Sequence, residues 1–267
     1  VPADVVASSA IAYLTSWSRC EPLQTNNLPD PPKTVDEVYD THKQMISNCE
    51  SQLMTSLAGY KMGAVGLVDG EPCFYGPLFK KFLTSSASQP SLSKLCNCHT
   101  LEVEIGFVMK NSLPVKSEQY TLEEVWDAVD SVVGCVELCG SRFDAASMGE
   151  VPVLQKLADG LMTGGVHMGP PLAKGSFSID SLRDMNTSLR VNGAELDKGR
   201  GSRCPQNGPV ESLLWLVEKL HEHGRQIEAG QLVISGMTAK TNSFQAGDTV
   251  CASFRGDIPD LTVTLSA

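Results

Sequence analysis

The sequence predicts an α+β fold, with helices near the N-terminus and strands through most of the remainder. The first observation is the strict alternation over residues 101–108, where Leu101, Val103, Ile105 and Phe107 are separated by Glu102, Glu104 and Gly106. A period of two is typical of a strand with one apolar face. The second is a run of strand-like segments near the C-terminus, at 232–235, 249–254 and 261–265.

Two helical patterns come first along the chain. An amphipathic segment lies near the N-terminus, and Thr34 followed by Glu37 predicts a capping box that opens a helix to about residue 56. We therefore expect a small N-terminal helical lobe over 1–57 and a main domain over 58–267.

The middle of the chain carries two further patterns. Thr121 and Glu124 form another capping-box signature, which predicts a helix running to about Val133. The segment 135–139 predicts a strand in which Glu137 stands among apolar residues. A buried carboxylate is normally paired or bound to metal, so Glu137 is a candidate site residue.

Prolines and glycines mark three further boundaries. Gly76 and Pro77 predict a turn that enters a short helix or an irregular segment. Asn192-Gly193 predicts a hairpin turn, and Pro209 predicts the start of a helix that ends before Gly224.

Composition narrows the class of function. The 267 residues are 42% hydrophobic and 19% charged, with a net charge of −10 at pH 7. Such an acidic chain argues against nucleic acid and against an anionic membrane surface as partners. A small anionic substrate remains compatible, because a bound cation or a local lysine reverses the field inside one pocket. No apolar run approaches the ~20 residues that a transmembrane helix needs.

The nine cysteines indicate a reducing compartment, because their number is odd and their spacing fits no disulfide framework. Cys96-x-Cys98-His99 lacks a second ligand pair and does not predict zinc. The chain starts at Val1, which would follow from removal of a targeting peptide or from trimming. We expect the cytoplasm or an organelle matrix, with the mitochondrion favoured.

Glu102 and Glu104 project from the same face of their predicted strand. Two adjacent like charges repel unless a cation lies between them, and a hard divalent cation with oxygen ligands would serve. From this strand alone, the two glutamates are explained equally well by an edge strand whose charged side chains face water. With Glu137 as a third acid, we expect the three carboxylates to converge on one site.

Lys61 lies in a glycine-rich stretch, between Gly59 and Gly63, that permits close backbone approach. Its ammonium either reaches solvent along an apolar surface or points into a pocket. If it points into the pocket of the three acids, burial lowers its pKa and the carboxylates raise it. We expect the carboxylates to dominate while no metal is bound.

The ordered set of motifs resembles one family over almost the whole chain. The set comprises Gly59-Tyr60-Lys61-Met62-Gly63, Gly76-Pro77-Leu78-Phe79, Glu102-x-Glu104, Glu137, Leu214-Trp215-Leu216, Ser235-Gly236 and Ala246-Gly247-Asp248. It resembles the fumarylacetoacetate hydrolase superfamily, in the branch of the 2-keto-4-pentenoate hydratases and 2-oxo-3-hexenedioate decarboxylases. The resemblance implies a mixed β-roll with flanking helices.

The resemblance also implies a site. Mg²⁺ or Mn²⁺ would be held by Glu102, Glu104 and Glu137, leaving positions open for water and a small anionic 2-oxo acid. Lys61 would stabilise an enolate or move a proton. By position in the motifs, the residues expected to contact substrate are Tyr60, Gly63, Leu78, Phe79 and Ser235.

The chain departs from the family pattern before Gly76, where the usual Asp is absent and only Glu71, which is offset, could substitute as an acid. It departs again at 159–163. The resemblance implies a metal-dependent lyase that forms a homo-oligomer. The departures leave a second hypothesis, a degraded member that serves as an accessory subunit of an organellar complex.

Overall fold

The computed structural model describes residues 3–86, 88–256 and 258–267. The helices are α1 (Ala3–Arg19), α2 (Val35–Leu53), α3 (Leu122–Asp127), α4 (Val153–Ala158), α5 (Ile179–Asp184) and α6 (Pro209–Glu222). The strands are β1 (Leu57–Gly63), β2 (Phe74–Phe79), β3 (Leu83–Ser85), β4 (Cys98–Met109), β5 (Val129–Gly140), β6 (Thr163–Met168), β7 (Leu172–Ala173), β8 (Asn186–Val191), β9 (Ala194–Arg200), β10 (Leu232–Thr241), β11 (Thr249–Arg255) and β12 (Leu261–Thr264). The predicted α+β class is confirmed, and none of the helices in these ranges is long and apolar enough to cross a membrane.

The strands form two sheets. The larger sheet is curled and has the order β2-β1-β10-β4-β5-β6-β3, with β7 paired to β5. It is mixed, because β1 runs parallel to β10 and β3 parallel to β6, whereas the other pairs are antiparallel. The smaller sheet has the order β12-β11-β8-β9. Its β8–β9 hairpin turns at Asn192-Gly193, as the sequence predicts.

The alternation over 101–108 produces the expected two faces of β4. Leu101, Val103, Ile105 and Phe107 are fully buried in the main hydrophobic core. Glu102 and Glu104 therefore project from the opposite face, toward the inside of the curl. At β1, Gly59 has φ +148°, and a Cβ there would lie 1.8 Å from the carbonyl oxygen of Leu232. Glycine is thus needed for the close approach of β1 and β10.

The two N-terminal helices pack onto the sheet and share its core. Trp17 of α1 is 1% exposed and stacks on Phe82 with ring centroids 5.0 Å apart. Thr34 caps α2 by accepting a hydrogen bond from the Glu37 amide at 3.3 Å. The boundary expected between residues 57 and 58 coincides with the start of β1. Whether 1–57 behaves as a separate lobe stays a prediction.

Two local predictions are wrong. The helix capped by Thr121 has the expected capping box but ends at Asp127, and β5 begins at Val129. The valines that fit an apolar helix face are β-branched residues, which fit a sheet better, and β5 pairs with β4 along most of its length. The second error is the turn at Gly76-Pro77, which is part of β2. Pro77 is tolerated there because β2 is an edge strand.

Candidate active site

The three acids meet where β4 and β5 pair. Glu102 lies directly opposite Glu137 in the antiparallel register, and Glu104 follows Glu102 on the same face. A carboxylate oxygen of Glu102, one of Glu137 and Sγ of Cys139 all lie within 4.8 Å of one another. Glu104 is near enough to Glu137 for the charge of Glu137 to help raise the pKa of Glu104. The structure thus brings the three acids together, as expected, while their role as metal ligands stays a prediction.

At this site, two buried carboxylate oxygen atoms lack a partner among the described residues. Glu104 and Glu137 are both 0% exposed. Oε2 of Glu104 accepts the Gly236 amide at 2.8 Å and Oε1 of Glu137 accepts from Lys61, but Oε1 of Glu104 and Oε2 of Glu137 have no donor. Burial, and then the proximity of Glu137, raise the pKa of Glu104 well above its usual value. A hard divalent cation would satisfy both oxygens, so the residues present fit such an ion.

Lys61 points into the same site from β1. Its Nζ lies 2.5 Å from Oε1 of Glu137 and 3.2 Å from the carbonyl oxygen of Leu161, and the residue is 4% exposed. Burial acts to lower the pKa of Lys61, but the carboxylate of Glu137, aided by Glu102 and Glu104, outweighs it and raises the pKa. This is the direction expected from the sequence for the metal-free site.

A buried ion pair fixes the segment that holds Lys61. Nε of Arg142 donates to Oδ1 of Asp159, its Nη2 donates to the Asp159 carbonyl at 2.9 Å, and its backbone N–H donates to Oδ2 at 3.0 Å. Both side chains are fully buried, and the guanidinium lies 4.1 Å from the ring centroid of Trp17. The next residues include Leu161 and Met162, with φ of +57° and +54°. Such left-handed backbone at non-glycine residues is costly and persists only where neighbours impose it.

Lys61 and Glu102 line one cavity of about 330 Å³, a size that suits a small organic acid. Its wall also includes Gly63 from β1, Cys139 from β5 and the strained Leu161. Deeper on the same sheet face, a separate apolar cluster lies against the acids. It consists of Leu78, Val133, Cys135, Val166, Leu232 and Ile234. The site therefore combines buried charged side chains with an apolar cluster that packs against them.

Of the five residues expected to contact substrate, Gly63 alone lines this cavity. Tyr60 and Phe79 point to the opposite face and are packed in the main core, where Tyr60 contacts Tyr75 and Phe79 contacts Trp17. Tyr60 neighbours Lys61 in a strand, so the two side chains must face opposite ways. The geometry gives no support for substrate contact by either aromatic residue.

Leu78 and Ser235 are also buried away from the cavity wall. Leu78 belongs to the apolar cluster beneath the acids. Ser235 donates its hydroxyl to the carbonyl oxygen of Ile105 at 2.7 Å and is 0% exposed. Leu78 therefore contributes packing in the apolar cluster, and Ser235 contributes a side-chain hydrogen bond to β4.

Glu71, expected as a possible substitute acid, lies outside the cavity. Its Oε1 accepts a hydrogen bond from Nζ of Lys219 on α6 at 3.1 Å. The short loop before β2 directs it toward that helix and away from Lys61. Direct proton transfer by Glu71 in this cavity therefore has no geometric support.

The sequence did not point to several residues of the cavity. Cys139, His99 and Lys240 line it from three different strands, and Arg203 lines it from a short 3-10 helix, Gly201–Arg203. Nδ1 of His99 shares a hydrogen bond with the Thr100 hydroxyl at 2.9 Å, whereas its Nε2 is buried with no described partner. Burial lowers the pKa of His99 and favours the neutral ring. Of these four residues, only Cys139 could have been predicted from the sequence. It lies two residues after Glu137 in a strand and therefore shares its face.

No family model matches the chain. The chain is 30% identical over 229 residues to a 2-keto-4-pentenoate hydratase of Paraburkholderia xenovorans, covering 82% of this chain and 79% of the relative. It is 25% identical over 240 residues to a 4-oxalocrotonate decarboxylase of a Pseudomonas species, covering 88% and 86%. Both relatives are bacterial, and neither supports the organelle matrix favoured from the sequence.

Among solved structures, the fold is similar to that of 4-oxalocrotonate decarboxylase from Pseudomonas putida complexed with magnesium and adipate. The TM-score is 0.84 and the identity 22%, over 99% of this chain and 98% of the other. This likeness confirms the mixed β-roll with flanking helices. Together with the first relative, it leads to one conclusion: the chain belongs to the fumarylacetoacetate hydrolase superfamily, in the branch of the 2-keto-4-pentenoate hydratases and 4-oxalocrotonate decarboxylases.

Proposed function

We propose that the protein is a divalent-metal-dependent lyase, a hydratase or decarboxylase, that acts on a short 2-oxo or 2-hydroxy-dienoic acid through an enolate. One observation carries the proposal: buried Glu104 and Glu137 each have a carboxylate oxygen without a described partner, beside a buried lysine in an open cavity. The names of the two relatives support the same reaction class.

Glu102, Glu104 and Glu137 would hold the metal, with Mg²⁺ or Mn²⁺ as the candidates because all three ligands are hard oxygen donors. When bound, the ion would polarise the 2-oxo group and offset the negative charge of the enolate. The magnesium complex of the structurally similar decarboxylase supports this choice.

Lys61 is the residue that would handle protons. Its ammonium is oriented by Glu137 on one side and by the Leu161 carbonyl on the other, so it presents its remaining N–H to the cavity. That N–H can donate to an enolate oxygen or deliver a proton to the distal carbon during ketonisation. The apolar cluster that packs against the acids lowers the local dielectric constant, and this strengthens the charge interactions in the site.

The accessory-subunit hypothesis receives no support. A member that has lost its chemistry would be expected to fill the pocket with side chains or replace its acids. Instead the cavity is open and is lined by Lys61 and Glu102, and the buried Glu104 and Glu137 lie next to these two residues. The family resemblance would also make the protein a homo-oligomer, which stays part of the proposal.

The test is turnover by the purified protein. After chelation and reconstitution with Mg²⁺ or Mn²⁺, the protein is mixed with 2-hydroxydienoic and 4-oxalocrotonate-type acids. Decay of dienol absorbance is followed together with release of CO₂. We expect metal-dependent turnover that Glu102→Gln abolishes. Absence of metal-dependent decay across the panel would contradict the proposal, and CO₂ release separates the decarboxylase from the hydratase.

A further inference from the structure

We propose that Cys139 gives the candidate metal site a sulfur ligand, so that Glu102, Glu137 and Cys139 together bind a thiophilic divalent cation such as Zn²⁺. This inference rests on the proposed function for the place of the metal, and it goes beyond the Mg²⁺ or Mn²⁺ proposed there. One juxtaposition carries it: Sγ of Cys139, a carboxylate oxygen of Glu102 and one of Glu137 lie within 4.8 Å of one another. The protein would then bind two classes of cation at overlapping positions.

The pairing of β4 with β5 places Cys139 beside the acids. Cys139 lies two residues after Glu137 in β5, so both side chains project from the same face of the sheet. Glu137 lies opposite Glu102 on β4, and Cys139 lies opposite Thr100. The sulfur therefore lies on one side of the pair Glu102 and Glu137, and Glu104 lies on the other side.

The distances between candidate ligand atoms favour the sulfur over the third acid. Among the described residues, the group of atoms within 4.8 Å of one another contains Cys139 and does not contain Glu104. Glu104 is instead oriented by the Gly236 amide, which donates to its Oε2 at 2.8 Å. Two carboxylates and one thiol therefore form a more compact set of ligands in this structure than the three carboxylates do.

Two groups of this set are free to bind a cation. Cys139 is a free cysteine in the cavity wall, and its Sγ forms no hydrogen bond within the part of the chain that the structure describes. Glu137 is fully buried, and its Oε2 has no donor among the same residues. A buried carboxylate oxygen without a partner is costly, and a cation beside it would remove that cost.

The mixture of sulfur and oxygen selects the class of cation. A thiolate is a soft ligand that suits Zn²⁺, whereas Mg²⁺ and Mn²⁺ prefer oxygen ligands. Bonds of about 2.3 Å to sulfur and about 2.0–2.2 Å to oxygen keep two ligand atoms of one zinc ion within about 4.5 Å of each other. The spacing of no more than 4.8 Å meets this limit with at most a small side-chain movement. Three protein ligands also leave a fourth position open, as in catalytic zinc sites.

Binding through Cys139 exchanges a proton for the cation. The Sγ–H bond breaks, its proton passes to solvent, and the sulfur electron pair forms the bond to the cation without any change of oxidation state. Because Glu102 and Glu137 belong to both sets of ligands, the two classes of cation exclude each other. Zn²⁺ should therefore displace Mn²⁺ from the protein.

The test uses Co²⁺ as a spectroscopic substitute for Zn²⁺, because a Co²⁺–thiolate bond gives a charge-transfer absorption band that oxygen ligands do not give. Chelated, reduced protein is titrated with Co²⁺ and then with Zn²⁺, and displacement of Mn²⁺ is followed by paramagnetic relaxation of water. We expect stoichiometric Co²⁺ to produce the band and Zn²⁺ to remove it. Cys139→Val should abolish the band and weaken Zn²⁺ binding by about 10-fold or more, with a much smaller change in Mn²⁺ affinity. Cys139→Ser, which keeps a polar group but lacks sulfur, should also lose the band.

Cys251→Val is the matched control, because Cys251 is a free cysteine on β11 of the smaller sheet and does not line the cavity. This variant should keep both the band and the Zn²⁺ affinity of the unmodified protein. A band that survives in Cys139→Val would overturn the sulfur ligand, and so would the absence of a band in unmodified protein that binds Mn²⁺; both results leave the proposed function intact. Failure of the unmodified protein to bind either Mn²⁺ or Co²⁺ would overturn the proposed function and the sulfur ligand together.

Discussion

Nζ of Lys61 donates a hydrogen bond to the carbonyl oxygen of Leu161 at 3.2 Å, so the orientation of the buried lysine depends on a segment with left-handed backbone. That segment follows Asp159, which Arg142 holds by both its side chain and its backbone. The buried lysine is therefore positioned by residues far from it in the sequence.

The first prediction concerns Lys61 itself. Lys61→Met should reduce turnover by about 10²-fold or more, the usual scale for the loss of an acid–base group, because no other ammonium of the described residues contacts Glu137. Metal affinity should change little, since the three carboxylates remain. Steady-state kinetics and calorimetric titration with Mn²⁺ measure the two effects. Unchanged turnover would remove Lys61 from the mechanism.

The second prediction is that metal binding depends on the converging acids and does not depend on Glu71. Glu102→Gln and Glu137→Gln should each weaken Mn²⁺ binding by about 10-fold or more, on the scale of perturbing a metal site. Glu71→Gln should leave binding unchanged, because Glu71 pairs with Lys219 outside the cavity. Paramagnetic relaxation of water by Mn²⁺ provides the readout. Equal weakening by all three variants would contradict the ligand set.

Arg142→Met should strongly destabilise the fold. It leaves Asp159 as an unpaired buried charge, and breaking a buried ion pair costs about 3–5 kcal/mol of the free energy of unfolding. Arg200→Met is the control, because the Arg200–Asp184 pair is exposed and should contribute less than about 1 kcal/mol. Urea titration followed by circular dichroism measures both. A small effect in Arg142→Met would show that Asp159 finds another partner.

His42 makes stability depend on pH. Burial lowers the pKa of His42 to about 4, from an ordinary value of 6.5. Its Nε2 lies 2.9 Å from the Leu157 carbonyl and its Nδ1 has no described partner. The native state therefore binds fewer protons than the unfolded state between these values, so stability falls as pH drops through this window. His42 alone should account for a loss of about 3 kcal/mol between pH 7 and pH 4.

The variant His42→Gln, which can keep an N–H donor to Leu157, tests this dependence. Its free energy of unfolding should vary less steeply with pH over the same window, by about one proton at the steepest point. Denaturant titrations at several pH values between 7 and 4 measure the slope. An identical slope in the variant would assign the pH dependence to other groups.

The family resemblance predicts a homo-oligomer. The mass in solution at micromolar concentration should then be a multiple of 28.6 kDa. Light scattering coupled to gel filtration measures it, and a clean monomer would contradict the prediction.

Much of the site was predictable because its acids lie on strands. Alternation placed Glu102 and Glu104 on one face, and the apolar surroundings of Glu137 indicated a buried carboxylate that is paired or bound to metal. The same alternation applies to Tyr60. Because adjacent residues of a strand face opposite sides, placing Lys61 in the cavity excludes Tyr60 from it. The sequence predicted the α+β class for similar reasons, since long periodic segments dominate the chain.

The remaining features depend on contacts between distant segments. Arg142 and Asp159 form a buried pair across a loop and α4, and no periodic pattern links them. Lys240 reaches the cavity through the register of β10. Asp197 holds Lys240 and Arg203 next to each other, because its Oδ2 accepts hydrogen bonds from both residues. The valines of β5 satisfied a helical and an extended pattern equally, and pairing with β4 decided between them.

The edges of the larger sheet restrict how subunits could assemble. At one edge, β2 contains Pro77, which lacks an N–H, and a Cβ at its neighbour Gly76 would lie only 2.8 Å from the Gly160 carbonyl oxygen. At the other edge, β3 is only three residues long. Blunted edges of this kind oppose pairing between the sheets of different chains. The larger sheets of two copies should therefore not join into one continuous β-sheet, and contacts between these sheets would come from side chains on helices and sheet faces.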